Sequence, residues 1–191
     1  MNKTKRKIFE TSMKLFAEKG YDATSIEEIT ATVGVAKGTL YYHFSSKEEI
    51  FNFLVEEGMK LLKNSIEIKT SKFDNVIDKI KAIILIEIKV LAKYEHIITI
   101  ILSQFWGTES RNIACKSYVL DYIKTIENII IAGMEKGELP KSNAKIIAST
   151  IFSITSSILV YKTQTGQSLD VHELYDEYQN IIINGLLSAE G

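Results

Sequence analysis

The residues best suited to chemistry gather in one short stretch, Lys37, Gly38, Thr39, Tyr41, Tyr42 and His43, with Ser25 before it and Lys47 after it. That chemistry is recognition of a polyanion rather than bond making. A lysine ammonium reaches a phosphate or a guanine edge, and a tyrosine offers its ring to a thymine methyl and its hydroxyl to a phosphate. Catalytic signatures do not accompany them. His43, His96 and His172 lie far apart and lack a metal spacing such as HExxH. No glycine-rich phosphate loop is present, and serines and threonines are too common to mark a nucleophile. The expectation is a binding protein and not an enzyme, with no cofactor and no metal.

The elements that must position these residues are legible around them. Lys5 to Lys19 carries Ile8, Phe9, Met13, Leu15 and Phe16 at helical spacing, and Gly20 follows as a C-cap. Ser25-Ile26-Glu27-Glu28 is a capping box that opens a short helix ending near Gly34. A second short helix runs from Ala36 to about Phe44, and the capping box Ser46-Lys47-Glu48-Glu49 opens a longer one. Two short helices joined by a tight glycine-containing turn outline a helix-turn-helix. Ile26, Ile29, Val33, Val35, Leu40 and Phe44 supply its small core, with Phe9 and Phe16 from the first helix.

Helical geometry then assigns the outer face. At ~100° per residue, Leu40 and Phe44 define the buried side of the second short helix. Gly38 and Tyr42 point away from it, and Lys37, Thr39, Tyr41 and His43 flank them. A glycine inside a helix costs ~1 kcal/mol relative to alanine. A backbone without Cβ compensates by approaching another surface closely, here the floor of a major groove. Ser25 and Lys47 sit at helix N-termini, where phosphates bind readily.

Composition agrees with a helical protein. The 191 residues are 46% hydrophobic and 25% charged, and only one Pro and 10 Gly interrupt them. Beyond Lys63 follow long isoleucine-rich amphipathic stretches: about 73–92, 95–105, 112–136, 143–163 and 170–187. Their β-branched runs suit strands, but most are too long without turn signals for strands, so length decides for helix. The fold class expected is all-α, with a three-helix helix-turn-helix domain over 1–48 and a helical effector-binding and dimerisation domain over 49–191. From Met1 to Lys47 there are eight basic and five acidic residues, against 15 and 19 in the remainder. A basic head on an acidic body fits a DNA-binding domain joined to one of another kind. The single Cys115 fits a reducing cytoplasm. No apolar segment follows the basic start, so no signal peptide is expected. The uncharged run Ile146 to Tyr161 falls short of the ~20 apolar residues of a membrane span, so no membrane partner is expected.

At Gly34-Val35-Ala36-Lys37-Gly38-Thr39-Leu40-Tyr41-Tyr42-His43-Phe44, followed by Ser46-Lys47-Glu48-Glu49, the chain resembles the DNA-binding signature of the TetR family. Phe16 to Ser25 fits that family's first helix and turn. The resemblance covers roughly Lys5 to Phe53, and Thr30 departs from it where the family usually has Ala. It implies phosphate contacts from Ser25, Tyr41, Tyr42, His43 and Lys47, and base contacts from Lys37, Gly38, Thr39 and Tyr42. It also implies a homodimer through the last two long helices, operator DNA as partner, and release by a small molecule bound among the C-terminal helices. Repression rather than activation follows from the resemblance alone.

For that small molecule, aromatic and polar residues among the isoleucines give a candidate pocket: Tyr94, His96, Gln104, Phe105, Trp106, Tyr118, Tyr122 and Phe152, with Tyr161 nearby in type. Aromatic residues on amphipathic helices serve equally well as plain core. An apolar drug-like compound, a fatty-acyl species and no ligand at all stay open as effectors. The rival to the regulator is a helical protein-interaction module without sequence-specific DNA binding.

Overall fold

A computed structural model describes residues 2–168 and 170–187. Its elements are helices: α1 (Lys3–Lys19), α2 (Ile26–Val33), α3 (Lys37–His43), α4 (Lys47–Thr70), α5 (Val76–Gln104), α6 (Ser110–Glu135), α7 (Ala144–Thr165) and α8 (Val171–Leu187). No strand occurs among the described residues. The two stretches expected over 73–92 and 95–105 form one element, α5, broken at Tyr94 by a non-helical backbone (φ −127°, ψ 36°).

The chain divides into two compact units, and the first is not the N-terminal segment alone. It takes in Met1–Met59 and also Glu95–Tyr118, the far end of α5, the loop after it and the start of α6. The second comprises Lys60–Tyr94 and Val119–Gly191. The break at Tyr94 falls where α5 passes from one unit to the other.

In the first unit, α1, α2 and α3 pack on one another. Ile8, Ile29, Leu40, Ile50, Phe51 and Leu54 are fully buried between them and the start of α4, with Phe16, Val33 and Phe44 nearly so. Each such side chain stabilises the fold by roughly 1.5–3 kcal/mol. Phe9, Ile26 and Val35, expected in this core, are half-buried at its rim. The turn between α2 and α3 depends on Gly34, which sits in the left-handed region (φ 77°, ψ 42°) and sends its N–H to the Thr30 carbonyl at 2.9 Å. Thr30 is buried, but its hydroxyl is satisfied inside α2 by the carbonyls of Ile26 and Glu27, both at 3.0 Å. That accounts for a threonine at a position the resemblance gives to alanine.

In the second unit, α5 and α6 approach so closely at Gly133 that a β-carbon there would overlap the Val76 side chain. Lys63 on α4 pairs with Asp121 on α6 at 2.8 Å, and Ser157 on α7 shares a hydrogen bond with Tyr178 on α8 at 2.8 Å. The helix α7 is 22 residues long and, by length and composition, apolar enough to cross a membrane. The uncharged run Ile146 to Tyr161 lies within it, and the helix extends past that run at both ends. Only 28% of its apolar window is buried within the chain, and Ile146, Val160 and Tyr161 on α7 are exposed together with Ile181 and Leu187 on α8.

One polar group lies deep in this apolar unit. Glu87 on α5 is 1% exposed, accepts a short hydrogen bond from the Tyr122 hydroxyl of α6, and leaves Oε2 without a partner among the described residues. Burial pushes its carboxyl up to about 8, a rise that the Tyr122 bond opposes. The folded state therefore holds a proton that the unfolded chain releases near pH 4.5. Stability contributed by this group is full below about 4.5, falls as pH rises, and is lost by about 8. Thermal unfolding from pH 5 to 8.5 should show this decline in the wild type and a flatter profile in Glu87→Gln. Parallel profiles would show that Glu87 does not carry the slope.

Candidate nucleic-acid interface

The short helix α3 is presented, not packed away. Leu40 is fully buried and Phe44, just after the helix, is 1% exposed, so one side is anchored. The opposite side carries Tyr42 at 84% and Tyr41 at 50% exposure. Gly38 and Lys37 are exposed, and Thr39 and His43 are half-buried on the flanks. This is the arrangement that the 100° geometry predicts. The Tyr42 and His43 rings meet edge to face at 5.0 Å between centroids, which limits the swing of both.

Gly38 has no intramolecular reason to be glycine. Its φ is ordinary, and a β-carbon would meet nothing within 4 Å. Lys37 pairs with the Glu27 carboxylate of α2, an exposed pair that raises the ammonium and lowers the carboxyl from their usual values through that hydrogen bond. The pair is fully solvated, so a phosphate competes for Lys37 at little cost.

The two N-terminal positions behave differently from each other. Ser25 is exposed and caps α2, accepting the Glu28 N–H at 3.1 Å. The other half of that capping box is missing, because the Glu28 carboxylate turns to Lys19. At the start of α4, Ser46 accepts the Glu49 N–H at 3.0 Å, and the Glu49 carboxylate takes the Ser45 N–H at 2.6 Å. Lys47 is committed inward: its ammonium donates to the carbonyls of Tyr21 and Thr24, both at 2.9 Å, and lies 4.2 Å from the Tyr21 ring centroid. It ties the α1–α2 turn to α4.

The residues expected to line an effector pocket are divided between the two units. Tyr122 and Phe152 meet in the second unit, edge to face at 5.9 Å, beside Glu87. Tyr94 marks the break in α5 and is 38% exposed. His96, Gln104, Phe105, Trp106 and Tyr118 belong to the first unit. His96 is exposed, Trp106 is 82% exposed, and Gln104 is engaged with Arg111 and Asn112. Sequence reading missed Glu87 and Arg111. An acid set between Ile86 and Ile88 flagged the first. The second is one of two arginines in a chain that otherwise uses lysine, a choice that suits a planar fork with several acceptors.

Comparison with known proteins bears on the same surface. Residues 8–54 match the family described as bacterial regulatory proteins, tetR family. The chain is similar to the biofilm operon icaADBC HTH-type negative transcriptional regulator IcaR of Staphylococcus aureus, with 39% identity over 74 residues, 39% of this chain and 40% of IcaR. The chain thus spans well under two thirds of the curated relatives it matches. Among solved structures it is similar to a Clostridium perfringens putative fatty acid metabolism regulator, with TM-score 0.89, 29% identity, and 94% and 98% of the two chains covered. It shares its fold with the transcriptional regulator FadR of Bacillus subtilis, solved in complex with stearoyl-CoA, at TM-score 0.84, 20% identity, and 95% and 98% coverage.

Gly38→Ala separates the two demands on α3. Chemical denaturation should find the variant as stable as the wild type or more stable by up to ~1 kcal/mol, since helix propensity rises and nothing clashes. DNA affinity, measured in parallel, should fall. A variant that gained stability and bound DNA as before would remove close backbone approach from the account.

Proposed function

We propose that the chain, whose residues 8–54 match the tetR family of bacterial regulatory proteins, is a DNA-binding transcription regulator and not an enzyme, reading operator DNA with the exposed face of α3. The observation that carries this reading is Tyr42, 84% exposed on a helix whose opposite side is locked in the core. In this reading Lys37, Gly38, Thr39 and Tyr42 meet base edges, and Ser25, Tyr41, Tyr42 and His43 meet phosphates. Lys47 contributes chiefly by holding the α1–α2 turn, since its ammonium already has two carbonyl acceptors. The DNA-binding part is 1–48 and the effector-binding and dimerisation part 49–191, and the site of action is the cytoplasm.

The protein acts as a homodimer through α7 and α8. The exposed apolar residues Ile146, Val160, Ile181 and Leu187 on these two helices support that interface. Two α3 helices then enter successive major grooves ~34–36 Å apart on a near-palindromic operator. The second unit receives an apolar effector of the fatty-acyl class, a reading supported by likeness to the Clostridium perfringens regulator. Within it Tyr122, Phe152 and Glu87 form a polar point in an apolar surround. Tyr94, in the same unit, remains a candidate for that ligand. The effector weakens DNA binding only by its difference in affinity for the two states. Repression is favoured because IcaR is a negative regulator.

The test is a titration against duplex DNA from upstream of the protein's own gene at two salt concentrations, beside Tyr42→Ala. Tight, salt-sensitive binding that weakens about tenfold or more in the variant is expected. Affinity no greater than for random DNA would contradict the regulator reading. Stearoyl-CoA, added next, should release the duplex, and unchanged affinity would remove the acyl effector while leaving DNA reading intact.

A further inference from the structure

The most densely bonded side chain in the first unit lies far outside the segment matched to the DNA-binding family. Arg111, near the start of α6, has a side chain 13% exposed, and each of its three guanidinium nitrogens donates a hydrogen bond. Nε donates to the Gln104 side-chain carbonyl at 3.1 Å, one terminal nitrogen pairs with Glu109, and the other donates to both Asp22 oxygens at 3.0 and 3.3 Å. Its plane also lies 4.4 Å from the centroid of the Tyr21 ring. Asp22 and Tyr21 form the turn between α1 and α2, the turn that Lys47 secures from α4. A neighbouring bond runs the same way, from the Ser110 hydroxyl to Glu48 at 2.7 Å.

The loop that leads into α6 is built to hold Arg111. Asn112, 4% exposed, donates to the Gln104 backbone carbonyl at 2.8 Å and accepts the Glu109 N–H at 3.0 Å. Gly107 lies so close that a β-carbon would overlap the Asn112 amide, and Lys116 closes the loop on the Gly107 carbonyl at 2.8 Å. Such a loop fixes a planar, five-donor group in one orientation.

We infer that Arg111 is a positioning residue for DNA reading: from the first turn of α6 it clamps Asp22 and Tyr21, and so sets the α1–α2 turn against which α2 and α3 are held. Arg111 touches no DNA in this account. The inference rests on the DNA-reading role of α3 proposed above. Its energetic signature is opposite to that of bulk charge. Removing the Asp22 carboxylate makes the protein less negative and by field alone strengthens attraction to DNA. Removing a clamp weakens it.

Asp22→Ala, Arg111→Ala, Arg111→Lys and the Asp22→Ala/Arg111→Ala pair, each in the full chain, are titrated against the same upstream duplex over a salt series, at a temperature where circular dichroism shows each folded. Asp22→Ala and Arg111→Ala should each bind about tenfold more weakly with the wild-type salt slope, and the pair no more weakly than Arg111→Ala. Arg111→Lys should not restore affinity, because an ammonium cannot both stack and fork. Should Arg111→Ala fail to fold, Asp22→Ala decides alone, since that side chain is 78% exposed. Asp22→Ala binding as tightly as wild type or tighter would overturn the inference. So would losses that add in the pair, or a salt slope shallower by about one in Arg111→Ala, the mark of a direct phosphate contact. If the wild type itself bound no duplex, the regulator reading would fall first, a result distinct from variants that match a binding wild type.

Discussion

A helix of seven residues has no stability of its own in water, because nucleation costs more than so few hydrogen bonds return. Everything proposed for α3 therefore depends on two apolar anchors, Leu40 and Phe44, seated in the core of the first unit. With one side fixed, the other can carry residues that do nothing for the fold: an exposed tyrosine pair, a paired but solvated lysine, and a glycine whose missing side chain leaves open space. The fold supports a face it does not need.

That division explains what was legible beforehand. The α3 face followed from periodicity, because the buried and exposed residues of a short amphipathic helix alternate at fixed angles, and Leu40 and Tyr42 lie where those angles put them. The N-caps Ser25 and Ser46 were equally plain, because a hydroxyl three residues before an N–H acts locally. What was not legible was long-range. The direction of the Lys47 ammonium depends on carbonyls more than 20 residues away, and nothing near it in sequence announces them. The Arg111 clamp joins residues 89 apart. For the same reason the aromatic residues gathered as one pocket candidate belong to two units, since a shared residue type carries no information about shared space.

The second unit sets a different balance. Its helices bury many isoleucines, and into that surround Glu87 brings a carboxyl whose only partner among the described residues is Tyr122. A buried acid of this kind costs stability unless something else repays it. Ligand recognition is a reason to keep one, because a single polar point in an apolar cavity fixes the orientation of a long apolar molecule. The exposed apolar faces of α7 and α8 belong to the same balance, being surface a second copy would cover.

The central claim is that α3 reads DNA sequence as one of a symmetric pair. Selection of bound duplexes from a random library, followed by sequencing, tests it most directly. The account predicts enrichment of an inverted repeat whose half-site centres lie ~10–10.5 base pairs apart or at a multiple of that spacing. A pool that stays random after repeated rounds would contradict it.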